Sequence, residues 1–536
     1  MSLTRSDSLL AILAKIAHLL ALHKKQGYIV GGFVRDWLLG RKTNDIDIAV
    51  NADATAIARK VAKELDGKFV LLDEVNSVAR VVVTGPERSE KTMPSHQAIS
   101  QEWHFDFSSF AESIESDLAR RDFTINAMAL ELSQFVTATT AYKSPRKSAS
   151  EVRKRPPLKL IAPFSGRADL RDKILRAVSE QIFEDDAARL LRAVRLAAEL
   201  DFAIEPNTES LIRRYAQDAA RVPGERIREE LLRLLARPKA AYFLRYLDNL
   251  GLLLILVPEL AEGKGIEQPT VHFWDVFEHS LQTVAAIEFL IREGDWEYGN
   301  DDMLSTAPWS ETIEKHLSQE VSSGSNHRVL LKLGGLFHDI AKPRTKSLDD
   351  DGRARFLGHT KQGAAMAANI LERWRFSNRE IRLVESLVYH HLRPVQIAKD
   401  EMPTSRAVYR YFRDTAEVGI DILLLALADY LASRGPLASM DEWRRHCQLV
   451  NYILAEHERQ QTKILPAKLI DGHDIMQAFE LLPGPLIGKL LAMVDEARAS
   501  GEVSTKEEAL ALVGKKLSIM KRQTKASQES PTGKAD

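Results

Sequence analysis

Asp45 and Asp47 stand two apart in Asp45-Ile46-Asp47-Ile48-Ala49-Val50, a string that alternates acid and aliphatic. That is the period of a strand with one buried face, so the two carboxylates point the same way. Hard oxygen ligands this close repel each other unless a divalent cation lies between them, and Mg²⁺ suits such a pair. Upstream, Gly31-Gly32 lacks Cβ atoms and lets a phosphate chain approach the backbone amides. Together these residues describe phosphoryl or nucleotidyl transfer, with metal on the carboxylates and a triphosphate over the glycines. A lone Asp-x-Asp is more often a solvated strand edge and a lone Gly-Gly a turn. The order of glycines, Arg35-Asp36 and acidic strand favours the chemistry.

The elements that must hold these residues are also legible. Tyr28–Val30 is an apolar lead into the glycines. Leu9–Leu22 reads as an amphipathic helix, interrupted by Lys15 and His18, with no small-residue cleavage site after it. Ala54–Leu65 reads as a helix, Phe69–Leu72 and Ala79–Thr84 as strands, and 85–101, with Pro86 and Pro94, as an inserted loop. Trp103-His104-Phe105-Asp106-Phe107 alternates again, and Asp106 is either a third carboxylate beside Asp45 and Asp47 or an exposed strand acid. Farther on, Arg121 offers a guanidinium fork for triphosphate oxygens, and Asn126 a donor and an acceptor for a ribose. Residues 137–160, rich in Ser, Lys, Arg and Pro, read as a flexible basic loop.

The first motif resembles that of the nucleotidyltransferase superfamily that includes DNA polymerase β. Its Gly-Gly-x-Val-Arg-Asp form resembles class II tRNA nucleotidyltransferases and bacterial poly(A) polymerases. Arg120-Arg121-Asp122-Phe123-Thr124-Ile125-Asn126-Ala127 resembles nearly the whole of that family's second motif. Ile161–Val178 resembles its hinge, with Asp169-Leu170 and Leu175-Arg176 in place. Ala162-Pro163-Phe164-Ser165-Gly166 stands where the family has Asp-Pro-Phe-Gly-Gly, a departure that bears on the local turn and on head-to-neck coupling.

Asp186, Arg189, Arg192 and Arg195 are spaced by three and share one side of a helix. A carboxylate can accept from the exocyclic amine of cytosine or adenine while a guanidinium donates to the bare ring nitrogen beside it. Uracil and guanine would mismatch both groups. A solvated arginine-rich face is the commoner reading of such a row, but it resembles the family's nucleotide-selecting motif. Glu225–Leu231 resembles a further family helix, and the arginines from Arg213 to Arg237 make a path for a tRNA acceptor stem.

Eight of the 15 histidines lie between 266 and 435. His279, His338-Asp339 and Asp429 resemble the HD phosphohydrolase pattern, and His359 with His390 or His391 resembles the extra ligands of its two-metal members. Such ligands favour Mn²⁺, Ni²⁺ or similar ions over Mg²⁺ alone. Residues 293–327 read as a loop between HD helices, 465–512 resembles the family's bacterial tail, and 523–536 reads as disordered.

At 536 residues the chain needs several domains. The resemblance implies an α+β architecture: a small mixed β-sheet nucleotidyltransferase head (1–165), then an all-α neck (166–265), HD domain (266–435) and tail (436–536). A single cysteine, Cys447, excludes a disulfide framework and fits the cytoplasm, and no apolar run reaches membrane-spanning length. A net charge of −1 means that RNA contact must be local. The implied reaction is template-independent addition or repair of the 3′-terminal CCA of tRNA from CTP and ATP. It would use two Mg²⁺ on Asp45 and Asp47, with Gly31, Gly32, Arg35, Arg121, Asp122 and Asn126 around the nucleotide. The HD domain would hydrolyse 2′,3′-cyclic or terminal phosphates. CC-only or A-only addition and poly(A) synthesis use the same motifs. The Leu-Gly-Arg-Arg-Phe-like stretch of the poly(A) polymerases is not found after the acidic strand, which favours tRNA. Two readings from other classes are an HD hydrolase whose head only holds RNA, and a pure RNA-binding protein. The oligomeric state is left open.

Overall fold

Alternation of large apolar residues with polar ones builds the sheet of the N-terminal region. Its seven strands are β1 (Gly27–Val30), β2 (Asp45–Val50), β3 (Lys68–Asp73), β4 (Val78–Thr84), β5 (Glu102–Ser109), β6 (Ala129–Glu131) and β7 (Leu160–Ile161), in spatial order β3-β4-β5-β2-β1-β6-β7. β2 and β5 are parallel, and the other pairs are antiparallel. Ile46 and Ile48, Val81 and Val83, and Trp103, Phe105 and Phe107 are buried on one face. Burying a large side chain is worth about 1.5–3 kcal/mol. A one-residue slip of β2 or β5 would expose this set and turn the acids inward, so the register is strongly specified. The helix Ala54–Glu64 covers β4 and β5 with Ile57, Ala58 and Val61, and the Asp53 side chain caps it by accepting from the Ala56 N–H at 3.1 Å.

The structure, a computed structural model, describes residues 3–74, 77–84, 102–143, 158–269, 271–398, 402–462, 468–499 and 501–528. It divides into two compact units, Met1–Val222 with Asn249–Ile255, and Pro223–Asp248 with Leu256–Asp536. The inserted loop expected at 85–101 lies outside the described residues. The basic loop expected at 137–160 is corrected at both ends. Leu132–Lys143 is a helix, anchored by Phe135 edge-on to Phe33 and Trp37, and Leu160–Ile161 is a strand. The helix expected at 9–22 runs Leu3–Leu22 and buries Leu13, Ile16 and Leu20, one helical stripe.

In the second unit, the helices Val276–Leu290, His327–Phe337, His359–Arg373, Asn378–His390 and Gly419–Arg434 pack on one another. Gly334 and Gly335 let them approach closely. A Cβ on Gly335 would lie 2.5 Å from Ile287, and one on Gly334 2.9 Å from Leu387. Residues 293–327 are not a plain loop. They form helices Asp301–Thr306 and Glu311–Ser318 and a short hairpin, Glu320–Ser322 with Ser325–Asn326. Three further helices, Gly472–Phe479, Pro485–Ala499 and Lys506–Gln528, gather around Ile475, Leu490, Val494 and Val513. The last of them corrects the disorder expected from 523, since residues to 528 are helical.

Candidate active site and metal centre

The register of the sheet lays out the first cluster. Asp45 pairs with His104 and Asp47 with Asp106 across the parallel strands, and Asp106 pairs in turn with Arg80 on β4. Asp45, Asp47 and Asp106 therefore share the face opposite the buried aromatics. Arg80 donates to both oxygens of Asp106 at 2.7 and 2.8 Å, and His104 Nδ1 lies 2.9 Å from Asp45 Oδ1. Burial pushes the Asp47 carboxyl up to about 6; Asp106 and Asp45 add to this, while Arg121 opposes it. Three hard oxygen donors on one face fit Mg²⁺.

Gly31 closes the site. It takes φ +70°, and a Cβ there would lie 2.8 Å from both Arg121 Nη1 and Asp47 Oδ2. Gly32 has an ordinary conformation, and a Cβ on it would meet the Arg35 guanidinium no closer than 3.5 Å. Of the two glycines, Gly31 is the one that this chain's own geometry demands. Arg121 is braced by Asp117, whose Oδ2 accepts from it at 3.1 and 3.2 Å.

Arg35 is held on all sides by its neighbours in this arrangement. Its Nε and Nη2 donate to Asp36 at 2.9 Å each, and its Nη1 donates to Asn126 Oδ1 at 2.8 Å. Asn126 Nδ2 donates to Asp122 Oδ1 at 3.0 Å, and Arg192 Nη1 donates to Asp122 Oδ2 at 3.3 Å. Burial alone would push the Asp122 carboxyl up, but Arg192, Asn126 and the Phe123 N–H hold it below its usual range. One polar chain thus joins Asp36, Arg35, Asn126, Asp122 and Arg192.

The row expected to select the base is only partly arrayed as spacing suggests. Asp186 caps the start of the helix Ala188–Leu200, accepting from the Ala188 N–H at 3.1 Å. Arg189 donates to the carbonyls of Ile182 and Arg120 at 3.2 and 3.0 Å, and its Nε lies 3.9 Å from Asp186. Arg195 is buried and donates to Glu199 at 2.5 Å, so it braces the helix from inside. At the departure the hinge makes a turn. Ser165 adopts the left-handed conformation at φ +63°, and a Cβ on Gly166 would lie 2.1 Å from the Thr124 carbonyl oxygen. Asp169 accepts from Thr124 at 2.7 Å and from Arg176 at 3.2 Å, which ties the hinge to the 122–126 motif.

The second cluster is helical and buried. His279 Nε2 lies 3.1 Å from His338 Nε2, 3.3 Å from Asp339 Oδ2 and 3.1 Å from Asp429 Oδ1. Such spacings suit donors about 2.0–2.2 Å from one ion. Asp339 Oδ1 faces His359 Nε2 at 3.5 Å and His391 Nε2 at 3.8 Å. The extra pair is therefore His359 and His391. His390 does not join: it is half-buried and set edge-on against Tyr389, because the helix turns adjacent residues about 100° apart. The Nδ1 atoms of His338, His359 and His391 lie 2.8, 2.6 and 2.7 Å from the carbonyls of Gly335, Phe356 and Val388. A carbonyl only accepts, so each Nδ1 carries the hydrogen and each Nε2 lone pair points into the cluster. Asp339 Oδ1 and His359 Nε2 are buried with no hydrogen-bond partner among the described residues. Burial would lower the His338 pKa, yet Asp339 and Asp429 hold it up at about 10, so a proton on this ring and a metal ion are alternative ways to meet the two carboxylates. This imidazole and carboxylate set fits a borderline divalent metal.

Sequence reasoning missed Arg80, Asp117 and Lys342, which bonds Asp339 Oδ2 at 2.6 Å. Asp117 stands four before Arg121, a helical spacing that could have been noticed. Lys342 is likewise three after Asp339. The Arg80–Asp106 pair depends on strand order and left no local signal.

Residues 27–176 match the Poly A polymerase head domain family, 201–264 the probable RNA and SrmB-binding site of polymerase A, and 276–434 the HD domain. The chain is 34% identical to the A-adding tRNA nucleotidyltransferase of Deinococcus radiodurans, over 90% of this chain and 94% of that one. It is 31% identical to the CC-adding tRNA nucleotidyltransferase of Thermus thermophilus, over 91% and 93%. Its fold resembles the apo form I structure of a CCA-adding enzyme (TM-score 0.58, 20% identity, 94% and 93% covered). It also resembles the Thermotoga maritima CCA-adding enzyme complexed with tRNA_CCA (TM-score 0.55, 20% identity, 95% of each chain). Among the described residues, no helix is long and apolar enough to cross a membrane. With these relatives aligned over nearly their whole length, the chain belongs to the tRNA nucleotidyltransferase family and is a nucleotidyltransferase.

Proposed function

We propose that the first unit extends the 3′ end of tRNA without a template, transferring CMP and AMP from CTP and ATP and releasing pyrophosphate. The observation that carries this reading is the in-register row Asp47–Asp106 beside Asp45, Gly31 and Arg121. Asp45 and Asp47, with Asp106 alongside, would hold Mg²⁺, which when bound activates the terminal 3′-hydroxyl and neutralises the triphosphate. Gly31 leaves room for the phosphates, and Arg121, braced by Asp117, meets their charge. Arg35 acts at one remove, orienting Asn126 toward the sugar. Asp186 and Arg189 read the pairing edge of the incoming base, Arg192 holds Asp122 beside Asn126, and Arg195 is a brace.

How much of CCA is added is a narrower question. The two relatives above carry A-adding and CC-adding names, and they match over nine-tenths of their length. That favours, as a second reading, an enzyme that adds only CC or only A. The purified chain is to be incubated with tRNA ending at the discriminator base, at C and at CC, with each labelled nucleotide. Full addition predicts CTP use on the first two ends and ATP use on the third. A partial enzyme uses only one of the two nucleotides, and no incorporation on any end would overturn the reading.

In the HD domain, the inward-facing Nε2 atoms support a second activity, hydrolysis of 2′,3′-cyclic or terminal phosphates that would block a tRNA end. His279, His338, Asp339 and Asp429 would hold one ion such as Mn²⁺ or Ni²⁺, and Asp339, His359 and His391 a second. These ions, when bound, make water a nucleophile at neutral pH. The test is hydrolysis of 2′,3′-cAMP with either metal added; none with any metal would leave the domain a scaffold. The cytoplasm, where tRNA ends are exposed and Cys447 stays reduced, is the compartment this work requires.

A further inference from the structure

A third cluster, sharing no residue with the other two, lies in the second unit. His316 comes from the last turn of the helix Glu311–Ser318, His327 opens the helix His327–Phe337, and Asp421 stands in the first turn of Gly419–Arg434. Asp421 and Asp429 are eight residues apart on one helix, so this cluster is roughly 12 Å along it from the HD ligands. Asp421 Oδ2 lies 2.6 Å from His316 Nε2 and 3.0 Å from His327 Nδ1. The two imidazole rings are 4.2 Å apart.

Hydrogen bonding alone accounts for this arrangement poorly. Both imidazoles converge on one carboxylate oxygen, while Asp421 Oδ1 is buried with no partner among the described residues. A buried unsatisfied acceptor costs about 1–3 kcal/mol. Asp421 is 1% exposed, so bulk water does not relieve it. His327 Nε2 also lacks a partner, and stays so under either account. A divalent ion would take both carboxylate oxygens and one nitrogen from each ring, completing a four-donor shell and using the orphan Oδ1. Donors about 2.0–2.2 Å from an ion stand roughly 3–3.5 Å apart, so His316 Nε2 needs to draw back from Asp421 Oδ2 by roughly 0.4–0.9 Å and His327 Nδ1 by at most about 0.5 Å. His316 is slightly exposed, which leaves a path for the ion to enter. The three ligands come from three helices, one of them in the 293–327 segment whose composition reads as loop.

We propose that His316, His327 and Asp421 form a structural Zn²⁺ site that pins the 293–327 segment to the helices of the HD domain. The site has no carboxylate or imidazole to spare for catalysis, and its work is to hold these helices together.

The full chain is stripped with chelator, reloaded with Zn²⁺, freed of excess by gel filtration and counted by elemental analysis. His316→Ala should lose one equivalent per chain relative to the wild type, and Zn²⁺ should raise the melting temperature of the wild type more than that of the variant. In a background of His279→Ala with Asp339→Ala, His316 should again account for one equivalent. His316→Cys keeps a zinc ligand, so it should retain the ion and, loaded with Co²⁺, show a thiolate-to-metal absorption band. Equal metal content with and without His316 would overturn the proposal, as would a folded His316→Cys protein without that band.

Discussion

In the sheet, Asp45, Asp47 and Asp106 come together because two parallel strands run in register, so the donors are all oxygens. In the HD helices, residues from five separate segments converge, and backbone carbonyls fix which imidazole nitrogen faces inward. In the first cluster burial raises the Asp47 carboxyl, and Arg80 and Arg121 stand at its flanks. In the second, Asp339 and Asp429 raise the His338 imidazole, and Lys342 bonds Asp339. A row of carboxylates on a strand pair thus suits a hard ion. A buried cage of imidazoles and carboxylates suits a borderline one. The difference implies that the two centres can be disabled separately.

Asp339→Ala gives the largest expected contrast. It removes a ligand shared by both HD subsites, so hydrolysis of 2′,3′-cAMP should vanish while nucleotide addition continues at its wild-type rate. If addition fell in parallel, with folding intact, the two centres would not be independent. Arg80→Gln comes next. Partners that orient metal ligands are worth about 10- to 100-fold. Freeing Asp106 should shift the Mg²⁺ dependence of addition by that order and leave the Mn²⁺ or Ni²⁺ dependence of hydrolysis unmoved. Arg189→Ala should act only on choice, raising UTP or GTP use relative to CTP and ATP by about tenfold as one half of the matching edge is lost. Competition assays with mixed nucleotides read this directly, and unchanged discrimination would place selection elsewhere. The smallest effects fall at the hinge. Gly166→Ala should cost about 1–3 kcal/mol, because its Cβ meets the Thr124 backbone. Ser165→Gly should be neutral or gain up to about 1 kcal/mol by relieving the left-handed serine. Denaturant melts of both variants check the pair.

The sheet and the acid row were legible because alternation is a local signal: Asp-Ile-Asp-Ile states which residues share a face. Arg80 was not, since a bidentate partner for Asp106 follows from β4 lying beside β5, and strand order is not written in either strand. The adjacent pair His390-His391 shows the same limit in a helix, where one-residue phase decides which ring enters the cluster. Residues 293–327 hid two helices under a polar composition. In hindsight Ser310, which caps at Ile313 N–H, and the buried pair Ile313 and Leu317 mark one of them. The Arg35–Asn126 bond was hidden for a similar reason, since the two residues stand 91 apart in sequence.

One substitution tests the sheet carboxylates most directly. Labelled CMP or AMP incorporation into tRNA is measured under single-turnover conditions for the wild type and for Asp47→Ala, with tRNA binding followed in parallel. Incorporation should fall by more than about 100-fold, with tRNA affinity and HD hydrolysis unchanged. Wild-type incorporation by Asp47→Ala would remove the sheet carboxylates from the reaction.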